Sequence, residues 1–415
     1  MKKNLNELLQ KSLFAFFIFS TSFVSANFLY ITNQDSDNVS VLDTSTNTIT
    51  ATIPFPMGAV PFGIAITPNG ESAYVTRLGD TLCSVIDTST NAVITSFTTI
   101  SSPSAVTVNP NGQTAYITNQ VSGTVSVVDT SSNMVISSIT VGSSPIAVEV
   151  MSNNQFAYVS NRLSDNVSVI DTTTNLVIKT ITVGVSPFGI AITPDDQFVY
   201  VPNAASDNIS VINTSSNTIT ATIPFPANSG PAEVAISPDG AHAYVSTLFF
   251  NAVFVIDTST HMIITSIPVG TQPYGIVVSP DGQFVYSVNQ LSNNVSIIET
   301  STNSVIETIT VGTRPTLAAI KPIPLAPKNL HGSQKENDFG LIYELFNRLK
   351  WEANFSGPAV TGYVVYRNGA QIATLGNDTF EYSDHNIRKG SSNTYSVFAV
   401  GTDGVLSLAA TTTIK

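Results

Sequence analysis

The sequence predicts an all-β protein made of a seven-bladed β-propeller followed by a small β-sandwich. Seven tyrosines recur at spacings of 42 or 44 residues, each interval holds four short β-type segments, and a stretch of different pattern follows the last repeat. Four strands in a unit of this length are typical of one propeller blade. The repeated tyrosines are Tyr30, Tyr74, Tyr116, Tyr158, Tyr200, Tyr244 and Tyr286.

The same turn residues separate the strands of every repeat. Thirteen residues after each tyrosine comes a polar turn residue, and a proline follows before the next unit begins. In the fourth unit, residues 157–161, 167–170, 176–183 and 189–193 alternate and are rich in β-branched side chains, which indicates four strands. The turn prolines are Pro61, Pro103, Pro145, Pro187, Pro231, Pro273 and Pro315.

The frame of the repeat predicts how the ring closes. In propellers the strand nearest the axis usually opens a blade. Here the first unit starts at the second strand, residues 28–32, and an inner-type strand, residues 316–321, is left without partners at the end. We expect these two segments to share one blade, because closure removes the exposed edges of an open ring.

Three short motifs recur in residues 28–321. They are Tyr-Ile-Thr-Asn at 30–33 and 116–119, Val-Ser-Val-Ile-Asp at 167–171, and Ser-Pro-Asp-Gly at 237–240 and 279–282. With these motifs the segment resembles the YVTN family of β-propeller repeats, found in exported and surface proteins of bacteria and archaea. The resemblance implies the fold but no reaction. Two units depart from it, at Arg77 and Thr247, where the others mostly have Asn.

Residues 323–415 resemble a fibronectin type III domain, with residues 322–327 as a stiff linker. Trp351 matches the core tryptophan of the second strand, Asn368 and Gly369 predict a tight hairpin turn, and Tyr395 is a candidate for the tyrosine corner. The stretch 334–347 departs from the pattern, as an insertion or as a displaced first strand. The resemblance implies a spacer or a binding module.

The first 26 residues are typical of a secretory signal peptide. Three lysines, Lys2, Lys3 and Lys11, precede the apolar stretch 12–24. Small residues come just before a predicted cleavage site after Ala26. We therefore expect an exported protein located in the periplasm, at the cell surface or outside the cell. The alternative is an uncleaved anchor helix.

Composition excludes some classes of partner. Charged residues are only 11% of the chain, and residues 27–322 hold 5 Lys/Arg against 19 Asp/Glu. An acidic domain repels phosphate backbones, so we expect no nucleic-acid partner. Cys83 is the only cysteine, which excludes a disulfide framework, and its equivalents in the other units are Val or Ile. We expect no transmembrane segment in the mature chain, and a monomer.

The sequence offers no complete metal or cofactor site. The four histidines do not pair with metal spacing. Asp35 and Asp37, or Asp195 and Asp196, do not continue into an oxygen-ligand loop of the kind that calcium needs. We predict no cofactor, no metal and no assigned catalytic residue, and an enzyme is the less favoured reading.

Residues that depart from the repeat mark two candidate binding sites. In the sixth unit Phe replaces small polar residues twice, which predicts an apolar patch of Leu248, Phe249 and Phe250 with Phe254 at its base. The patch contacts the C-terminal domain or an external partner, unless the change is only local packing. The second set is expected at the ligand face of the ring, unless it reflects ordinary loop variation: Arg77, Arg162, Arg314, Phe62, Phe188, Tyr274, Glu149 and Glu233.

These features favour a binding or scaffold protein that recognises a protein or glycan through the propeller face. One alternative is a hydrolase or lyase acting on a lactone or a sugar, for which Glu149, Glu233 and the arginines are the available groups. A second alternative is a repetitive surface or adhesion protein.

Overall fold

A computed structural model describes residues 27–338, 343–354, 357–385, 387–388, 390–402 and 404–415. The predicted signal peptide, residues 1–26, lies outside the described residues. All regular structure in the described part is β-strand, as the sequence predicts. None of it forms a helix with the length and hydrophobicity to cross a membrane.

Seven four-stranded antiparallel sheets, here called blades 1–7, form the propeller. From blade 2 onward the strands of each blade run in chain order from the axis outward, and are called inner, second, third and outer. The strands are β1 (Phe28–Asn33), β2 (Asn38–Asp43) and β3 (Thr48–Pro54) in blade 1; β4 (Pro61–Ile66), β5 (Ser72–Arg77), β6 (Leu82–Asp87) and β7 (Ala92–Thr98) in blade 2; β8 (Pro103–Val108), β9 (Thr114–Asn119), β10 (Thr124–Asp129) and β11 (Met134–Thr140) in blade 3; β12 (Pro145–Val150), β13 (Phe156–Asn161), β14 (Asn166–Asp171) and β15 (Leu176–Thr182) in blade 4; β16 (Ala191–Ile192), β17 (Phe198–Asn203), β18 (Asn208–Asn213) and β19 (Thr218–Pro224) in blade 5; β20 (Pro231–Ile236), β21 (His242–Thr247), β22 (Ala252–Asp257) and β23 (Met262–Pro268) in blade 6; β24 (Pro273–Val278), β25 (Phe284–Asn289), β26 (Asn294–Glu299) and β27 (Ser304–Thr310) in blade 7; and β28 (Pro315–Ile320).

The expected ring closure is confirmed. Strand β28 pairs with β1 as the inner strand of blade 1, with Leu29 opposite Ile320 and Tyr30 opposite Ala319. At the end of the pairing the Lys321 amide donates to the Phe28 carbonyl over 2.8 Å. The first and last strands of the propeller therefore complete one blade between them.

Strand direction divides the ring into two faces. The inner strands start at the turn prolines, and the face with these turns and with the loops between second and third strands is called the top face. The bottom face carries the loops between inner and second strands and those between third and outer strands. Both the start of β1 and the end of β28 lie at the bottom face.

The core is a series of apolar layers between neighbouring blades. Tyr30 and Val39 of blade 1 pack with Ile64 and Val75 of blade 2, and the other blade pairs repeat the arrangement. Cys83 is fully buried in one such layer. Burial raises the pKa of its thiol, so the residue acts as a small hydrophobe.

The repeated tyrosine links each blade to the next at the bottom face. In four blades its hydroxyl reaches the side chain of the last turn residue before the outer strand of the following blade. The pairs are Tyr30 to Asn91 Oδ1 at 2.7 Å, Tyr74 to Asn133 Oδ1 at 2.6 Å, Tyr158 to Asn217 Oδ1 at 2.8 Å and Tyr200 to His261 Nδ1 at 2.9 Å. These acceptors have positive φ, between 51° and 56°, a conformation in which Asn is favoured.

The C-terminal region forms two further sheets. One contains β29 (Lys328–Asp338), β30 (Tyr343–Glu352) and β33 (Glu381–Asp384). The other contains β31 (Val360–Arg367), β32 (Ala370–Gly376), β34 (Asn393–Gly401) and β35 (Ala410–Ile414). Trp351 lies in the core between them with Leu349 and Val397, and Asn368 and Gly369 form a turn with positive φ at both residues. The segment 334–347, which departs from the expected pattern, lies in the long β29–β30 hairpin apart from residues 339–342, which are not described.

Tyr395 does not bind its own backbone in the manner of a tyrosine corner. Its hydroxyl donates to Asp384 Oδ2 over 2.6 Å and accepts from Asn347 Nδ2 over 2.9 Å. Arg367 also binds both carboxylate oxygens of Asp384. The two sheets are therefore joined by a buried polar network.

The sandwich lies against the bottom face of the propeller. A cleft of about 430 Å³ is lined by Asn69 and Asp87 of blade 2 together with Pro324, Pro358 and Thr402. Further round the ring, Leu408 lines another cleft beside Pro238. The top face is consequently the side of the ring away from the sandwich.

Ring closure is tested by deleting residues 315–321. The deletion removes the inner strand of blade 1 and leaves β1 as an unpaired inner edge. We expect a strongly lowered melting temperature, because both neighbouring apolar layers lose one wall. Differential scanning calorimetry of the full-length protein measures it, and an unchanged melting temperature contradicts the closure.

The tyrosine link is tested at its one variant acceptor among those described. His261→Asn restores the residue found in the equivalent turns and should leave the free energy of unfolding unchanged or raised. His261→Ala removes the acceptor for Tyr200 and places a non-polar residue at positive φ, which should cost about 1–2 kcal/mol. Urea unfolding compares the two variants. Equal stability of both would show that the hydrogen bond contributes nothing.

Candidate functional site

A plug of side chains closes the top end of the propeller axis. Phe62, Ile146, Phe188, Ala232 and Tyr274 come from five different blades, yet they form one buried cluster. Side chains from non-adjacent blades meet only at the axis. Each follows a turn proline directly, and all five are at most 8% exposed.

The rings of the plug pack edge to face. The centroid of the Tyr274 ring lies 5.9 Å from that of Phe62 and 5.7 Å from that of Phe188. This arrangement places the positive edge of one ring against the negative face of another. The plug is therefore a packed layer, and it separates the top face from the axis below.

Two arginines surround the plug on the top face. The Arg162 guanidinium lies over the Phe188 ring, 4.7 Å from its centroid, and its Nε donates to Ser186 Oγ over 3.2 Å. Arg314 is half exposed and lies 3.7 Å from an Asp35 carboxylate oxygen. Burial raises the pKa of the Tyr274 hydroxyl, the charge of Glu233 raises it further, and the charges of Arg162 and Arg314 oppose the shift.

Arg77 has a different environment from the other two arginines. It is 7% exposed and forms an ion pair with Asp80 in the loop that follows its own strand. The Asp80 carboxylate also accepts from the Leu82 amide over 2.8 Å. Arg77 therefore holds the second-to-third-strand loop of blade 2 and does not stack on the plug.

Glu149 and Glu233 lie beneath the plug on inner strands β12 and β20. Burial raises the pKa of Glu149 to about 7. Burial, and then the charge of Glu149, raise the pKa of Glu233 to about 8. A Cβ added to Gly189 would lie 2.2 Å from Glu233 Oε2, so the carboxyl rests directly on that glycine. The absence of a side chain at residue 189 makes room for the pair.

Blade 5 is irregular beside this pair because Pro202 interrupts the repeat. In four other second strands a Ser or Thr hydroxyl accepts from an amide of the inner strand, as Thr76 Oγ1 does from Gly63 over 2.8 Å. Pro202 has no hydroxyl, and the Gly189 amide instead donates to the Ala232 carbonyl of blade 6 over 2.8 Å. The inner strand β16 is correspondingly short.

The patch predicted in blade 6 is divided between surface and interior. Phe249 is 65% and Phe250 46% exposed, whereas Leu248 packs against the plug. Phe254 is buried between blades 5 and 6, 5.0 Å from the Phe225 ring, and so does not form part of a surface. The patch lies on the top face, so the expected docking of the C-terminal domain on it is wrong. Local packing and an external partner remain, since the Phe249 ring lies against Gly230 while most of its surface is exposed.

The structure shows that Phe249 belongs to a larger feature, here called the apolar rim. Four loops between second and third strands present a large apolar side chain at the same position, five residues after the repeated tyrosine. They are Val121, Leu163, Phe249 and Leu291, exposed by 80%, 75%, 65% and 62%. The sequence already shows these apolar residues five positions after the tyrosine. They were not predicted as a group, because only the phenylalanines of blade 6 were compared with the small polar residues of the other units.

The described residues contain no group of three or more His, Cys, Asp or Glu side chains arranged to hold a metal ion. His242 and His261 lie at the bottom face. The Nδ1 atom of His261 is hydrogen-bonded to the Tyr200 hydroxyl. Among the described residues, the titratable side chains of the inner strands are thus Glu149, Glu233 and Tyr274.

The glutamate pair predicts a pH dependence of stability. An unfolded glutamate titrates near pH 4.3. The folded protein therefore holds protons that the unfolded chain has released, and the free energy of unfolding falls as pH rises from about 4.3 to about 8. Each unit of pKa shift corresponds to about 1.4 kcal/mol. In the Glu149→Gln, Glu233→Gln variant this component should vanish, and unfolding in urea at pH 5 and pH 8.5 measures the difference. Identical pH slopes for variant and native protein contradict it.

Comparison with known proteins agrees with this fold. The family described as "Lactonase, 7-bladed beta-propeller" matches residues 63–222 and 214–308. Hydrazine synthase of Kuenenia stuttgartiensis is similar in structure, with 22% identity and a TM-score of 0.62 over 66% of this chain and 92% of that chain. A functionally unknown protein from Desulfotomaculum acetoxidans has 18% identity and a TM-score of 0.63, over 71% and 99%. At these identities the two structures show the fold alone.

No curated protein sequence matches this chain. The family match runs from the inner strand of blade 2 to the outer strand of blade 7, which is more than half of the chain. The protein therefore belongs to the seven-bladed β-propeller lactonase family.

Proposed function

We propose that this chain is an exported binding protein whose top face recognises a protein partner. The observation that carries the proposal is the apolar rim. Its side chains stand on loops that are otherwise polar, and each exposes more than 60% of its surface. Large apolar side chains repeated at equivalent positions of one face favour a contact with another protein there, because burying them is favourable.

The chemistry of the rim favours a protein over a glycan. Three of its four members are aliphatic, whereas sugars stack on flat aromatic faces. Burying apolar surface contributes about 25 cal/mol per Å², so Phe249 and Leu163 alone represent roughly 3–6 kcal/mol of contact energy. Arg162, stacked on Phe188 nearby, adds a residue type enriched in binding hot spots.

The architecture leaves the top face free for such a partner. The start of β1, the linker and the sandwich are all at the bottom face. We also propose that the propeller repeats are of the YVTN type and that the sandwich is a fibronectin type III-like spacer. Export would follow cleavage after Ala26. The sandwich assignment is supported by the two C-terminal sheets, of three and four strands, which enclose the core around Trp351.

The family match supports a second candidate, hydrolysis of a lactone or a sugar. Glu149 and Glu233 have the raised pKa values that a general acid needs near neutral pH. The plug covers them from the top face, so a substrate would have to approach along the axis from below. Lactone hydrolysis that is lost in Glu149→Gln and Glu233→Gln would favour this candidate over the binding role.

The binding role is tested by removing the rim. The variant Val121→Ser, Leu163→Ser, Phe249→Ser, Leu291→Ser should lose at least 100-fold in affinity for a partner recovered by cross-linking on intact cells. The matched control also replaces four exposed apolar residues by serine, but on the outer strands. It is Ile136→Ser, Ile178→Ser, Ile264→Ser, Ile306→Ser, and these isoleucines are 49–60% exposed. The control should retain the partner. Retention by both variants, each folded by circular dichroism, rules out the top face.

A further inference from the structure

The outer strands of blades 4 and 7 differ from the other five, because each has a charged residue at its centre. Lys179 in β15 and Glu307 in β27 both stand twenty-one residues after the repeated tyrosine of their blade. No other residue of the seven outer strands is charged. The blade itself therefore requires neither charge. The equivalent residues of the remaining blades are small and neutral: Ala51, Thr95, Ser137, Ala221 and Thr265.

Neither charge is neutralised within the molecule. Lys179 and Glu307 are exposed, and no ion pair within the described ranges involves either of them. Glu307 accepts a hydrogen bond from the Asn47 amide of blade 1 over 2.6 Å, but that amide is neutral. The two residues stand on separate blades and cannot pair with each other in one ring. Their opposite signs make each a suitable partner for the other across a contact between two molecules.

The strands that carry these charges are open edges. In the described sheets β15 and β27 are end strands, so their outward N–H and C=O groups pair with no further strand. Apolar side chains flank the charges: Leu176 and Ile178 are 62% and 49% exposed, and Ile306 is 50% exposed. Ile178 and Ile306 each stand at a bulge directly before the charged residue. A bulge interrupts regular strand pairing, so side chains must provide most of a contact between two such edges.

The repeat brings the two edges level when two copies lie side by side. In a ring of equivalent blades, equivalent residues stand at the same height above the bottom face. Copies with their top faces on the same side therefore place Lys179 of one copy opposite Glu307 of the next. Blade 7 is three steps from blade 4 in one direction and four in the other, so the two edges lie on nearly opposite sides of the ring. A contact between two unlike edges leaves one of each open, so it extends into a row of molecules and does not stop at a dimer.

We propose that this protein associates with itself edge to edge, with Lys179 of one copy paired to Glu307 of the next. The ion pair selects the two edges and their register, and the flanking Leu176, Ile178 and Ile306 supply apolar contact around it. The propeller as a whole is acidic, with 5 Lys/Arg and 19 Asp/Glu in residues 27–322. Charges more than about 8 Å apart are largely screened at physiological ionic strength, so the close pair acts with little opposition from this general repulsion.

The contact is weak in a single pair of molecules, because an exposed ion pair contributes little by itself. Rows therefore form at high local protein concentration, and the monomer expected from the sequence is the state in dilute solution. Both edges lie on the perimeter of the ring. A row consequently leaves the top face open to the partner proposed for the apolar rim.

Charge reversal tests the proposal on the protein purified from its native host. Sedimentation equilibrium at physiological ionic strength should show an average mass that rises with the concentration of the native protein. Lys179→Glu gives a molecule with two acidic edges, and Glu307→Lys gives one with two basic edges. Each change should raise the dissociation constant at least tenfold. An equimolar mixture of the two variants should associate within threefold of the native protein, because acidic and basic edges are then both present.

The matched control is Lys335→Glu, which makes the same charge change on an exposed lysine of the sandwich and should leave association unaltered. The rim variant should also associate normally, which separates this inference from the role of the top face. Should one reversed variant not fold by circular dichroism, the double variant Lys179→Glu, Glu307→Lys replaces the mixture, since it exchanges the two signs and should associate like the native protein. A native protein that stays monomeric at its highest soluble concentration overturns the proposal. So does association that survives both reversals, or reversals that neither mixing nor the double variant rescues.

Discussion

The contact between one blade and the next determines the rest of this structure. A four-stranded blade cannot bury both of its faces alone, so each apolar layer exists only between two blades. The repeated tyrosine fills that layer with its ring and directs its hydroxyl to a turn of the next blade. In blades 1, 2, 4 and 5 the hydroxyl reaches Asn or His at 2.6–2.9 Å. Where it forms, the hydrogen bond ties the tyrosine to the next blade, and in every blade the tyrosine ring is buried.

A ring of such contacts must close, and closure explains the arrangement of the chain ends. Pairing β28 with β1 gives blade 1 its inner strand and covers the last edge at the axis. It also puts the start and the end of the propeller at the bottom face, beside the sandwich. Neither end of the propeller segment lies at the top face, which carries the apolar rim and Arg162.

The inner strands supply part of the wall around each tyrosine, as Ile64 does for Tyr30, and they also carry several of the residues that depart from the repeat. The plug residues, the two glutamates and Gly189 lie on inner strands or, in blade 5, on the segment that leads into the inner strand. Glu233 is accommodated because glycine stands opposite it. The apolar rim lies elsewhere, on the loops between second and third strands.

The sequence by itself determined the blade number, the strand order within each blade and the closure, because a period of 42 or 44 residues with fixed turns leaves one consistent ring. It also singled out Phe62, Phe188, Tyr274, Arg162, Glu149 and Glu233 as departures from the repeat. Only the tertiary structure decided that the aromatic residues form a closed plug, with the carboxyls beneath it. The reason is that these residues are 39 or more positions apart in sequence, and their distance depends on the curvature of the ring. The same holds for Phe254, whose burial depends on Phe225 at the end of the neighbouring blade.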